Sequence, residues 1–211
     1  MRLRHRSWTK DVLAQNKDIS RSFSELKEDS LKFFDHLEIG CGLGGFLLSL
    51  SKKNPKGKYL GVEVSLNAFA SAVKKASAVK KEQDNFLIVH APIERLFPYL
   101  PTGRFEAIYI NFPDPWPKKR QLHRRLSSPK LLKEYYRLLK KGGKIYFRTD
   151  NVPLFEDSTE SFVDSNLFRV ETIVPFLSET VDFLPSTEYE RKFREKGVPI
   201  QLLIATKEES R

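Results

Sequence analysis

The sequence predicts an α/β fold, a doubly wound and mostly parallel sheet of seven strands with helices on both faces, Rossmann-like in organisation. Three observations predict it. From about residue 33 onward, short apolar strand patterns alternate with longer amphipathic helix patterns, the signature of βα units around a parallel sheet. A glycine cluster, Gly40-Cys41-Gly42-Leu43-Gly44-Gly45, stands between the first strand and the first helix. The chain then closes on two strand-like runs, FRVETIVPF and PIQLLIATK, whose long separation suits an antiparallel pair at the end of the sheet.

Each element has its own signal. FFDHLEI (33–39) reads as a strand ending at the glycines. GGFLLSLSKK (44–53) reads as a helix, apolar at 46, 47 and 50, basic in its last turn and stopped by Asn54–Pro55. KYLGVEV (58–64) is a second strand, and residues 66–81 form an alanine-rich amphipathic helix with Ser65 as its N-cap. NFLIVH (85–90) and FEAIYINF (105–112) are further strands, the latter apolar enough for a central position. Residues 129–143 open on Pro and close on Gly, the usual punctuation of a helix. KIYFRTD (144–150) is a strand and residues 152–165 a helix. TEYERKF, near the end, carries no strand or helix signal that spacing alone reveals and reads as a loop.

Length and charge narrow the class. The 211 residues suit one domain, 31–211, preceded by a basic arm, 1–30. A net charge of +10 favours a polyanionic partner, nucleic acid above all. With Cys41 as the single cysteine, neither an intrachain disulfide nor a cysteine-rich zinc site is available, so no metal is expected. No apolar run approaches the ~18 residues of a membrane helix, and MRLRHRSWTK is not a secretory signal. A cytoplasmic protein is the expectation. His5, His36, His90 and His123 are scattered, and a solvated or structural role is expected for each.

In doubly wound sheets ligands bind beyond the carboxyl ends of the strands. The chain's most unusual segments fall there: EIGCGLGG, Glu63, NFPDPW and RTDN. Gly40 and Gly42 let backbone approach a ligand closely, though nicotinamide enzymes share this pattern. Glu63 lies 23 residues after Gly40, where an acid binds ribose hydroxyls. Glu38 discriminates: an acid two residues before the first glycine repels a pyrophosphate but attracts the ammonium of an amino-acid tail, which favours S-adenosylmethionine over NAD.

The segment NFPDPWPKKRQLHRR (111–125) joins a rigid turn to a cationic run. Pro113, Pro115 and Pro117 restrain the backbone so that Asp114 is pre-aimed at little entropic cost. Its carboxylate can accept from N1–H and the exocyclic amine of guanine together, while Phe112 or Trp116 can stack on a base or pack in the core. Lys118, Lys119, Arg120, Arg124 and Arg125 suit contacts to phosphates or to the base. Guanine N7 carries a lone pair and no proton, so its methylation needs positioning more than a base, a metal or a nucleophilic cysteine.

With these residues assembled, the chain resembles the bacterial tRNA (guanine-N(7)-)-methyltransferase family, on RLRHRSW, LEIGCGLGG, GVEV, NFPDPWPKKRQLHRRL, RTDN and STEYERKF. The resemblance implies a class I methyltransferase fold, S-adenosylmethionine as cofactor, and methylation of guanine 46 in the variable loop of tRNA. It implies cofactor contacts from Glu38, Gly40, Gly42, Glu63, Ala91 and Asp114, with Asp114 also catalytic. It implies substrate contacts from Lys118, Asp150, Thr187, Glu188, Tyr189 and Glu190, and a basic arm in Arg2, Arg4, Arg6 and Trp8. A monomer or homodimer is expected. Competing readings are methylation of an exocyclic or side-chain amine, a non-catalytic RNA-binding module, and a NAD dehydrogenase.

At Ala91 the chain departs from the family, which usually has Asp or Asn there to meet adenine. Ala91→Asp is therefore expected to tighten S-adenosylmethionine binding in calorimetry. Tighter binding by the native chain would contradict this if the carboxylate is accommodated without strain.

Overall fold

The alternation of strand and helix signals becomes two compact units in the computed structural model, residues 1–100 and 101–211. It describes residues 8–175 and 184–208, so Arg2, Arg4 and Arg6 lie outside the described residues.

The first unit holds α1 (Thr9–Gln15), β1 (Ser20–Ser22), β2 (His36–Ile39), α2 (Gly45–Lys53), β3 (Tyr59–Glu63), α3 (Leu66–Ser77), β4 (Phe86–His90) and α4 (Ile93–Leu96). Its strands run parallel in the order β1-β4-β3-β2. β2 and β3 are buried along their whole length, their polar residues His36, Glu38 and Glu63 included. Phe46, Leu47 and Leu50 of α2 and Phe69, Val73 and Ala76 of α3 supply helical side chains to the core. Ser65 caps α3 as expected, its hydroxyl accepting from Ala68 N–H. The helix ends at Ser77 and not near residue 81, because Ala76 is the last of its residues buried at helical phase.

Part of the segment that reads as an arm is ordered against the sheet. β1 pairs with β4, Ser20 opposite Ile88. The turn that leads into it is closed by Asn16, whose side chain donates to the Val12 carbonyl and whose own carbonyl accepts from Ser20 Oγ. β1 is three residues long, too short to show a period in the sequence, and it is additional to the seven strands expected.

The second unit holds β5 (Phe105–Asn111), α5 (Pro129–Leu138), β6 (Leu139–Thr149), α6 (Val152–Asp164), β7 (Phe168–Ile173), α7 (Glu188–Glu195) and β8 (Gln201–Lys207), with a 3-10 segment at Lys119–Arg124. Its order is β5-β6-β8-β7. β5 and β6 are parallel, while β8 is antiparallel to both neighbours, so the two late strands pair as their sequence separation predicts. Asn111 and Arg148 sit opposite each other where β5 and β6 end.

Two differences from the sequence reading have physical causes. β6 begins at Leu139, so KKGG belongs to a strand with a register shift opposite Phe105 and not to the end of α5. Gly143 makes this possible: a Cβ there would come within 2.8 Å of the Lys140 carbonyl oxygen and 2.9 Å of that of Phe105. TEYERKF is helix α7 and not a loop. Thr187 Oγ1 accepts from Glu190 N–H at 2.9 Å, and the Glu190 carboxylate faces back toward Thr187 N–H at 3.4 Å, a capping box. The Thr-x-x-Glu spacing was the signal that a search for hydrophobic periodicity passes over.

Gly143→Ala should destabilise the protein by about 1–3 kcal/mol, as overpacking against rigid backbone does. That corresponds to roughly 2–4 °C of melting temperature per kcal/mol in a chain of this size. Gly142→Ala meets open space at φ +71° and should lose only the left-handed penalty of ~1–2 kcal/mol. Thermal melts of the two variants check the order.

Candidate functional site

In the first unit the chain leaves β2 through Gly40 (φ 75°), Cys41 and Gly42 (φ 54°) before entering α2. A Cβ at either glycine would meet no atom within 4 Å, so the turn presents bare backbone to open space. The turn is held from behind by Val62, whose carbonyl accepts from Gly40 and Cys41 N–H at 2.8 and 3.0 Å. Glu63 fixes it from the side, one carboxylate oxygen accepting from Gly42 N–H at 2.8 Å and the other from Ser65 N–H at 2.7 Å. These two bonds tie the glycine turn to the start of α3. An ionised carboxylate has about four acceptor sites, so two such bonds leave capacity for a diol.

Glu38 stands on β2 opposite Gly61, with 2% of its surface exposed. Its neighbour Cys41 is buried, and burial, reinforced by the Glu38 and Glu63 carboxylates, pushes the thiol well above its usual range. Cys41 is therefore a neutral packing group and not a nucleophile at neutral pH. A thiol whose folded-state pKa is raised contributes stability below its unfolded pKa, and that contribution is lost as pH rises through the folded value.

The third wall comes from the end of β4. Ala91 is buried, and its N–H is committed to the Glu63 carbonyl at 3.1 Å, while Pro92 has no N–H to give. His90 stacks on Phe69 with ring centroids 5.2 Å apart, and its Nε2 lies 3.1 Å from the Val64 carbonyl oxygen. His36 stacks on Tyr59 at 4.7 Å. Both rings pack against neighbouring aromatics. Open glycine backbone, a pinned acid and a buried acid at the strand ends combine close backbone approach with carboxylate acceptors, which fits an amino-acid tail and a ribose. That is what S-adenosylmethionine presents.

The second unit holds the NFPDPW turn. After Asn111 the chain turns through Phe112 at φ 51° and Trp116 at φ 40°. Positive φ at two bulky non-glycine residues within five positions costs of order 1–3 kcal/mol each and persists only where surroundings enforce it. The enforcing contacts are visible. Phe112 N–H donates to the Arg148 carbonyl at 2.8 Å. The Phe112 ring packs at 5.9 Å from Tyr189 and 6.0 Å from Phe193, which are four apart on α7. Arg124 lays its guanidinium 4.8 Å over the Trp116 ring. Within this braced turn Asp114 is exposed, and no group among the described residues hydrogen-bonds its carboxylate.

Beneath the turn lies Arg148, with a fully buried side chain. Its Nε donates to Asn111 Oδ1 at 2.8 Å, and one terminal nitrogen donates to Glu190 Oε2 at 3.0 Å and to the Pro185 carbonyl at 3.2 Å. The other Glu190 oxygen lies 2.8 Å from Arg194. The structure thus brings Thr187 and Glu190 to the floor of the NFPDPW turn and leaves Tyr189, 60% exposed, at its rim. Glu188 opens α7. Asp150 follows β6, half-buried, and the next residue, Asn151, caps α6 by accepting from Leu154 N–H at 2.8 Å.

The basic run divides. Lys118, Lys119 and Arg120 are exposed. Arg124 is exposed too, with its charge resting on Trp116. Arg125 corrects the sequence reading: it is buried, with Nε on the Pro115 carbonyl and a terminal nitrogen 2.5 Å from Asp157, so it is not a surface phosphate contact. Sequence reasoning missed Arg148, Asn111, Phe193 and Asp157. Only Arg148 left a trace, as a cation directly after the apolar run Ile145-Tyr146-Phe147, which demands a buried acid somewhere else in the chain. Among the described residues no cluster of His, Cys, Asp and Glu is placed to hold a metal, and no helix is long and apolar enough to cross a membrane.

Arg148→Met, which leaves Glu190 buried without its guanidinium, should cost on the order of 3–5 kcal/mol in urea unfolding. Arg148→Met combined with Glu190→Leu should recover part of that loss, because the stranded charge is gone. No recovery in the double variant would mean the pair is not the anchor.

Known proteins place this arrangement. The family model described as "Putative methyltransferase" matches residues 33–203. A tRNA (guanine-N(7)-)-methyltransferase of Bacillus subtilis is 35% identical over 206 residues, covering 95% of this chain and 96% of its own length. One from Clostridium botulinum is 38% identical over 216 residues, covering 97% of this chain and 99% of its own. Among solved structures, a 16S rRNA methyltransferase superposes with a TM-score of 0.62 at 16% identity, over 86% of this chain and 91% of that one. A tRNA (m1A58) methyltransferase of Aquifex aeolicus superposes with a TM-score of 0.56 at 16% identity, over 99% of this chain and 72% of that one. The structural matches establish the class I methyltransferase fold, and the near full-length sequence matches settle the rest: the chain belongs to the tRNA (guanine-N(7)-)-methyltransferase family.

Proposed function

We propose that this chain methylates N7 of a guanine in tRNA, at position 46 of the variable loop, with S-adenosylmethionine as methyl donor. One observation carries the reading. Asp114 is exposed, without a hydrogen-bond partner among the described residues, and held between two strained, braced aromatics; exposed cations begin four positions on. A fixed acceptor beside a positive surface suits a purine on a polyanion. The near full-length relatives, named for this activity, support the same reading.

The residues divide the work. Glu38 would hold the ammonium of the cofactor's amino-acid tail, Gly40 and Gly42 would let backbone approach it, Glu63 would accept from its ribose, and Ala91 would line the adenine. When bound, the cofactor supplies a methyl group activated by its sulfonium. Asp114 accepts hydrogen bonds from N1–H and the exocyclic amine of guanine and so fixes the direction in which N7 points. It removes no proton, since N7 carries none, and its contribution is orientation of an in-line displacement. Lys118, Lys119, Arg120 and Arg124 bind phosphates, and exposed Tyr189 with Asp150, Thr187 and Glu188 frames the substrate. Glu190 acts from below through Arg148, holding α7 under the turn. The cytoplasm, where tRNA is abundant, is the setting, and the enzyme works as a monomer or homodimer.

The test is methylation of unmodified tRNA with labelled cofactor, followed by borohydride–aniline cleavage, which cuts at 7-methylguanine. Labelled product that resists cleavage would refute the reading. Asp114→Ala should lower turnover by at least 100-fold while tRNA affinity changes little. Replacing Lys119 and Arg120 by Ala should instead weaken tRNA binding and lower its log–log salt slope by ~0.7–0.9 for each phosphate no longer neutralised.

A further inference from the structure

We propose that Arg125 is a positioning residue for the reaction, a buried clamp that sets the direction of Asp114 and couples it to the helix behind Asp150. This rests on the functional reading above and concerns a residue that its charge and neighbours would assign to tRNA binding.

Arg125 is the last of five cations in KKRQLHRR and the only one of them that is buried, at 8% exposure. Its Nε–H donates to the carbonyl of Pro115, the residue immediately after Asp114, in the peptide that links Pro115 to Trp116, at 2.9 Å. Its Nη1 donates to Asp157 on α6 at 2.5 Å. A guanidinium is suited to this because its donors are fixed in one plane, so two acceptors on different segments are held at a set angle. Lysine, with a single rotatable ammonium, cannot hold both in the same geometry.

The surrounding contacts repeat the coupling. Ser127 and Ser158 hydroxyls lie 2.8 Å apart, and Ser161 Oγ donates to the Ser127 carbonyl at 2.6 Å. The end of the basic run is therefore stapled to α6 at three points. α6 begins at Val152, with Asn151 as its cap directly after Asp150. A shift of α6 moves the Asp150 segment and, through Arg125, pulls on Pro115, the residue next to Asp114. On its other side the same turn is held by Arg124 stacked on Trp116. Two consecutive arginines thus grip consecutive residues of the turn: Arg125 takes the Pro115 carbonyl, and Arg124 takes the Trp116 ring.

The test compares Arg125→Ala, Arg125→Lys and Asp157→Asn in steady-state methylation, tRNA binding across a salt series, and Trp116 emission in a Trp8→Phe background, where Trp116 is the sole tryptophan. Rates are scaled by the fraction of protein that binds cofactor. The expected result for Arg125→Ala is a fall in kcat of about 10- to 100-fold, as a small misplacement produces, with KM for tRNA within about twofold. The salt slope should not change, and Trp116 emission should shift in the folded protein. Arg125→Lys should fall between Ala and native, and combining Arg125→Ala with Asp157→Asn should cost no more than Arg125→Ala alone.

A rise in KM with native kcat and a salt slope lower by one phosphate contact would overturn the proposal and return Arg125 to the tRNA surface. A loss that disappears once rates are scaled to folded protein would overturn it in favour of a purely structural role. If native protein makes no 7-methylguanine, the functional reading fails instead, and the Trp116 shift still decides whether Arg125 sets the turn.

Discussion

The ion pair between Arg148 and Glu190, both fully buried, is the constraint on which the second unit is organised. Taking two charges out of water costs several kcal/mol for each ion unless each finds its partners, so the pair can exist only where hydrogen bonds converge on it. They do: Asn111 from β5, Pro185 from the segment before α7, and Thr187 and Arg194 flanking Glu190 all contribute. One buried cation thereby fixes where a strand ends, where a helix begins and how the two meet. An apolar replacement would fill the same volume without demanding that geometry.

The strained turn stands on this base. Phe112 and Trp116 hold left-handed backbone that most residues avoid, and each is stabilised from outside itself: Phe112 by Tyr189, Phe193 and the Arg148 carbonyl, Trp116 by Arg124. The energy stored there is small against the total that packing supplies, but it keeps Asp114 exposed and directed instead of folded back onto the surface. In the role proposed for Asp114, a flexible loop with the same acid would have to order on each encounter with substrate, and the associated entropy would weaken positioning.

In the first unit the same logic uses backbone in place of side chains. Glu63 is at once a pin for the glycine turn and an acceptor with sites to spare, so one carboxylate sets the shape of the turn and still offers lone pairs beside it. Cys41 fills the space beneath as a neutral thiol. At the end of β4 the buried Ala91 has its amide committed to the Glu63 carbonyl and Pro92 has none, so this edge of the turn offers no free backbone donor.

The sequence by itself determined the βα alternation, the antiparallel closing pair, the glycine turn with its two acids, and the motif segments that mark the family. These are local signals: a period of two or 3.6, a glycine where backbone must approach a ligand, a proline that restrains its neighbours. It could not decide which of five adjacent cations faces solvent, because KKRQLHRR has no period and burial of Arg125 depends on Asp157, 32 residues away. It left TEYERKF a loop, because that helix is stabilised by a capping box and a buried ion pair and carries no regular apolar stripe. Tertiary structure alone decided those points: buried charges are placed by partners that converge from distant parts of the chain, and no local pattern records where such partners will meet.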